Sequence, residues 1–381
     1  RLPELLQVPG LQQVHVRERG FPVLDAGRRD VGGEALFLGA DLPRPFRGAG
    51  VVVGIVDGGF DYSQPQFRDP ETGRLRVSRA WHQRDATGPP PAGFRQGTER
   101  VGEADLLAIG HDQPNQSHGT HVATIAAGSG IGPDRRLRGM APEAEIVLVS
   151  TDFSEQGILD GIRYIFRYAE AVGKPAVVNL SIGGRVGPRD GSSAFDRAVE
   201  GLVKPGAFVV GAAGNAGRLP NHLFHRFDGD TVRTVLTMPA DGSTTVADCW
   251  TERGGLLQGR IEVYDTAARL LHRFDAFSTD RSALNRRDSL LLPDGRLLRL
   301  QSSSITRTQT GNSKGRLVFV VETNAPDRLF PVLTLWADTG GVHAWTSSET
   351  LVDTLPNGRA VPGAVAGDTR FTINEIGGTG R

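Results

Sequence analysis

The chain has 381 residues, of which 50 are glycine and 23 proline, and its 43 Lys+Arg balance 43 Asp+Glu. Glycine well above the usual roughly 7% excludes a helical bundle or coiled coil and points to a globular chain rich in tight turns and close backbone approaches. A formal net charge of zero gives no reason to expect nucleic acid or a membrane surface as partner, and 38% hydrophobic residues allow the core of one large domain or two smaller ones.

Lysine occurs only at 174, 204 and 314, a composition bias rather than a binding patch. Cys249 is the only cysteine, so no intrachain disulfide can form and the compartment stays open. No apolar run approaches the roughly 18 residues needed to span a bilayer. The sequence opens Arg-Leu-Pro-Glu-Leu-Leu, without an initiator Met or a charged-then-apolar leader, so no signal peptide is visible and the gene start is expected upstream.

In chain order, residues 1–24 are expected to be a linker or the tail of an upstream segment. From 50 to 217, short apolar runs alternate with helical periods, the pattern of a parallel sheet covered by helices. Strands are predicted at 51–56, 145–150, 176–181 and 208–213. Between the second and third, Ser154 is a plausible N-cap, Ile158, Ile162, Ile165 and Ala169 recur on one face, and Gly173 ends the helix. A second helix is predicted at 194–203, stopped by Pro205 and Gly206. From 219 to 357 period two replaces period 3.6, at 231–238, 259–264, 297–300 and 316–322, which predicts an antiparallel β-sandwich inserted into the α/β unit. Residues 358–381 are expected to return to the α/β unit, whose first part spans 25–218.

Four motifs fall at strand ends or helix starts, where open α/β sheets place ligands. A strand ends in Asp57 and turns at once through Gly58 and Gly59; alone this reads equally as a turn. His118-Gly-Thr-His121 opens a helix of small residues, and a neutral imidazole there can act as general base if a carboxylate orients its other nitrogen. Rival readings are a helix cap and a metal site through His118 and His121, although no Glu follows zincin spacing. The strand through Asn179 ends in Ser181, Ile182, Gly183 and Gly184, a backbone stripped of bulk that can pair with an extended peptide. Gly214 and Asn215 form a glycine turn whose side-chain amide can donate to a developing oxyanion, or is simply a turn.

The ordered set resembles the subtilisin-type serine peptidase family, from residue 50 to 217, with His118-Gly-Thr-His-Val-Ala its most specific piece. The resemblance implies an α/β fold with a parallel sheet, and roles for Asp57 as orienter of His118, His118 as general base, Asn215 as oxyanion donor, and Ser181, Ile182, Gly183 and Gly214 as substrate-binding backbone. It implies a polypeptide substrate, no organic cofactor, calcium as a family habit with no ligand set matched here, and a secreted or cell-surface setting. The strand-rich insertion resembles the jelly-roll insertion of the germination-protease-like branch, in which residues 5–14 resemble the end of a propeptide. A propeptide or inhibitor protein is then a further partner.

Two departures stand out. Gly58 occupies a position where the family usually carries Thr or Ser. No Gly-Thr-Ser followed by small residues and Pro occurs in the 381 residues, and Ser129, Ser192, Ser193 and Ser243 do not begin a suitable helix. The first expectation is that a further segment or separate chain carries the nucleophilic serine. The alternative is a catalytically dead pseudopeptidase that binds or regulates another protein.

Overall fold

The computed structural model describes residues 23–113, 117–130, 137–184, 186–241, 244–347 and 350–372. The propeptide-like stretch 5–14, Ser243 and the return segment from 373 onward lie outside them. Two short helices, α1 (Val23–Asp30) and α2 (Gly33–Leu38), come first. The first sheet takes β1 (Val52–Asp57), β2 (Val77–His82), β3 (Thr98–Val101), β4 (Glu145–Ser150), β5 (Ala176–Leu180) and β6 (Ala207–Gly211), in the order β3-β2-β4-β1-β5-β6. All neighbours are parallel except β2 and β3, so the sheet is mixed rather than wholly parallel as expected.

Every residue of β1 is buried because helices cover both faces. On one face Val52 and Val56 meet Ile158, Ile162 and Ile165 of α5 (Glu155–Ala171) and Phe195 and Val199 of α6 (Ala194–Glu200); α3 is Gly102–Ile109 and α4 is His118–Ala127. On the other face Val53 and Ile55 meet Leu106 of α3 and Ala123 and Ala127 of α4. Gly54 lets α5 lie close: a Cβ there would sit 2.5 Å from Ile165. The periodic helix is present as read, with the Ser154 hydroxyl accepting from Gly157 N–H at 2.9 Å. Because α5 carries the chain from β4 across β1 to β5, the strand order reverses beside β1, and the crevice beyond the C-terminal ends of β1 and β5 is the natural place for a ligand.

The second half forms two antiparallel sheets. One comprises β8 (Thr231–Leu236), β10 (Gln258–Tyr264), β11 (Leu270–Arg273), β12 (Phe277–Ser278), β16 (Phe330–Trp336) and β18 (Leu351–Val352). The other comprises β7 (His222–Asp228), β9 (Thr245–Thr251), β13 (Ala283–Leu291), β14 (Leu297–Ile305), β15 (Arg316–Thr323) and β17 (Thr339–Thr346). Ile261, Leu333 and Leu335 from the first share one core with Cys249, Leu317, Phe319 and Ala344 from the second, so the sheets are stacked as a sandwich. Residues 358–372, expected to lead back to the α/β unit, lie on the sandwich instead: Val361 packs with Val235 and Phe330, Asp368 bridges to His222, and Phe371 accepts from Trp345 Nε1. Among the described residues no helix is long and apolar enough to cross a membrane.

The sandwich holds an imidazole pair, His222 buried and His343 half-buried. His222 Nδ1 donates to Asp368 at 2.9 Å, its Nε2 lies 3.0 Å from His343 Nδ1, and His343 stacks on Trp345 with Phe371 edge-on. Burial lowers the pKa of both rings. Asp368 pulls His222 partly back up against Arg370 and Arg189, while His222 and Lys314, opposed by Glu252 and Asp190, add to the lowering of His343 to about 4. The folded values lie below the ordinary value of roughly 6.5, so between about 4 and 6.5 the unfolded chain binds more protons. The stability these rings contribute is therefore complete above pH 6.5 and lost as pH falls toward 4. Thermal unfolding midpoints should drop across that window, and His343→Gln should shallow the drop; equal slopes in the two proteins would remove the pair as its cause.

Candidate active site

Asp57 is the last residue of β1 and His118 the first of α4, so a strand end and a helix start deliver the two side chains to the crevice. His118 Nδ1 lies 2.8 Å from Asp57 Oδ1 and 2.9 Å from Oδ2. A carboxylate only accepts, so the ring proton sits on Nδ1 and the neutral imidazole carries its lone pair on Nε2. Asp57 is 1% exposed and also accepts from Gly58 N–H at 2.7 Å, whereas the His118 side chain is 58% exposed. The carboxylate is thus held and the imidazole faces outward. Among the described residues Nε2 has no hydrogen-bond partner. An imidazole so held can take a proton on Nε2 as a general base.

Glycine makes this approach possible. A Cβ on Gly119 would lie 2.5 Å from the Gly59 carbonyl oxygen and 3.0 Å from Asp57 Cβ. Thr120 Oγ1 accepts from Asp61 N–H at 2.9 Å, tying the same helix turn to the segment after β1. Behind them Asp112 accepts from Phe60 N–H at 2.7 Å, Tyr62 OH at 2.6 Å and the Ser150 hydroxyl. Burial beside Asp112 raises the Tyr62 phenol well above its ordinary value, so it remains a donor. His121, the rival metal ligand, is exposed, and among the described residues no group of three or more His, Cys, Asp or Glu is placed to hold a metal ion.

Asp57 and His118 line a cleft of about 430 Å3 together with Ile182, Gly183 and Gly184 beyond β5. Its remaining lining, Phe153, Glu155, Ile158, Val186 and Phe195, was not expected from sequence to face the site. Buried Ile158 and Phe195 are apolar, while Glu155 is exposed. Ser181 Oγ accepts from Asn179 Nδ2 at 2.9 Å. Gly214 and Asn215 follow β6, the neighbour of β5, on the same edge of the sheet; Gly214 has φ +88° and both are exposed, outside the lining of the cleft. A larger hollow of about 740 Å3 beside Trp81, Phe94 and Arg167 shares no residue with this cleft and contains no paired His and Asp.

The solved structure of the Clostridium perfringens CspB protease superposes with a TM-score of 0.62 at 17% identity, covering 84% of this chain and 66% of that one, a likeness of fold. Subtilisin-like protease 9 of Arthroderma benhamiae is 27% identical over 229 residues, 60% of this chain and 46% of its own length. The major intracellular serine protease of Bacillus subtilis is 35% identical over 137 residues, 34% of this chain and 36% of its own length. The chain thus spans less than half the length of these curated relatives. The subtilase family, peptidase S8, matches residues 48–249, more than half of the chain, with Asp57 and His118 inside the match, and the chain belongs to that family of serine peptidases.

Proposed function

We propose that the protein is a subtilisin-type serine endopeptidase acting on extended polypeptide through an acyl-enzyme. The observation that carries this reading is the bidentate contact of His118 Nδ1 with buried Asp57 at the wall of an open cleft. In the proposed cycle a serine hydroxyl attacks the scissile carbonyl and gives its proton to His118 Nε2, and Asp57 supports the imidazolium. The Asn215 amide donates to the oxyanion, and His118 then returns the proton to the leaving amine. Water repeats the sequence to free the acid. Ser181 to Gly183 pair with the substrate backbone, with Gly214 giving the Asn215 turn its left-handed conformation.

The serine belongs, in this reading, to polypeptide outside these 381 residues. In support, no Gly-Thr-Ser occurs in the sequence, and Phe208 and Val210 stand half-exposed on β6, at the end of the described sheet, as an apolar face for further chain. We place the protein in the germination-protease-like branch and read the sandwich as its jelly-roll insertion, a reading supported by the position of the sandwich after Asn215 and by a superposition on the CspB protease that covers 84% of this chain and so takes in sandwich strands. Residues 1–24 are then the end of a propeptide. The second reading, a pseudopeptidase, rests on the His118 Nε2 that no described serine reaches. Incubating the natural full-length protein with an extended peptide library decides between them: hydrolysis is expected, binding without turnover selects the pseudopeptidase, and neither removes both.

A further inference from the structure

Alternation in β9 sends Ala247 and Cys249 into the sandwich core, and Asp248 and Trp250 to the opposite face. Asp248 is nevertheless 1% exposed, because the segment following the cleft's β5 wall covers it. Its Oδ1 accepts from Arg316 Nε at 2.7 Å, and its Oδ2 accepts from Trp250 Nε1 at 2.9 Å and from the backbone N–H of Gly187 at 2.7 Å. Two donors belong to the sandwich, and the third belongs to the loop. Gly187 is buried at φ +132°, a conformation that favours glycine, and the residue before it, Val186, lines the cleft.

Three further tethers follow along the same loop. Arg189 lies 5.0 Å over the Trp345 ring, Lys314 Nζ donates to Asp190 at 2.5 Å, and Asn312 Nδ2 donates to Ser192 Oγ at 3.1 Å. The loop then enters α6 at Ser193, whose hydroxyl caps Asp196 N–H, and Phe195 supplies another wall of the cleft. Sandwich contacts thus hold the loop between two cleft-lining residues.

We propose that Asp248 is a positioning residue for the substrate cleft: from the inserted sandwich, through Gly187, it fixes the Val186 and Phe195 wall against which an extended peptide lies. This rests on the peptide-binding cleft described above but not on turnover. Asp248→Asn in the natural full-length protein replaces one acceptor oxygen with a donor amide and removes the charge facing Arg316. By hydrogen-exchange mass spectrometry residues 186–195 should exchange about tenfold faster or more, with α4 and β5 unchanged. KM for an extended peptide, or Kd where no turnover occurs, should rise about tenfold, with kcat within about threefold of the parent. Unchanged exchange in folded Asp248→Asn overturns the clamp, and faster exchange with unchanged KM or Kd overturns its role in the cleft. Absence of turnover in the parent counts against the peptidase reading alone. Should Asp248→Asn fail to fold, Gly187→Ala, which keeps the N–H but is strained at φ +132°, loosens the same contact from the loop side; faster exchange of 186–195 supports the clamp, and unchanged exchange overturns it.

Discussion

Replacing His118 with alanine should lower peptide hydrolysis by the natural full-length protein by about 10^4 or more, a magnitude carried over from subtilisin, the type enzyme for this constellation. The imidazole stands in the cleft with a carboxylate behind it, and if it is the base, as proposed, alanine leaves no group to take the nucleophile's proton. Stability should change by less than about 2 kcal/mol, since the ring is more than half exposed and Asp57 keeps the Gly58 N–H, though it loses its other donor. Turnover within tenfold of the parent, measured alongside an unchanged thermal unfolding midpoint, would show that His118 is not the base.

Gly119→Ala should damage fold and activity together. Alanine is the better helix former by about 1 kcal/mol, so propensity alone favours the change. Against it stands a Cβ 2.5 Å from a backbone oxygen and 2.9 Å from the Phe60 ring, with the backbone on both sides fixed by β1 and by the Thr120 bond to Asp61. Overpacking of this kind costs about 1–3 kcal/mol, enough to outweigh the propensity gain. The strain is relieved only by moving α4 away from β1, which separates His118 from Asp57. A displacement near 1 Å lowers activity by about 10^2. Calorimetry and kinetics on the same preparation check both effects; parent-like stability with parent-like kcat would mean that the close approach of α4 has no consequence.

The parts of this site that were legible in the sequence are those built by local pattern. A buried apolar run ending in Asp57 and a small-residue helix opening at His118 declare themselves within a few residues, and so does the 3.6-residue period of α5 under its Ser154 cap. What local pattern does not encode was missed. Phe153, Glu155, Val186 and Phe195 come from loops and helix starts whose convergence depends on the order of the strands. The Asp248 contact with Gly187 spans 61 residues and leaves no periodic trace. β16, read through Phe330-Pro-Val-Leu-Thr-Leu-Trp336, is buried on both faces for most of its length and shows no alternation. β2 and β3 are short and carry charges at Arg79 and Glu99 that pair across the two strands, and at Arg100, which pairs with Asp85 and Asp105. Residues 358–372 lack any period, and it is tertiary contact with β7, β8 and Trp345 that assigns them to the sandwich.

The central claim is that Asp57 and His118 serve a serine nucleophile outside these 381 residues. Labelling the natural full-length protein with a fluorophosphonate, then mapping the adduct by peptide mass spectrometry, tests it most directly, because the reagent needs an activated serine. The expected result is one adduct, on a serine in a Gly-Thr-Ser segment beyond Arg381 or on an associated chain, lost in His118→Ala. No adduct on the folded full-length protein, or an adduct on a serine within the 381 residues that persists in His118→Ala, would contradict it.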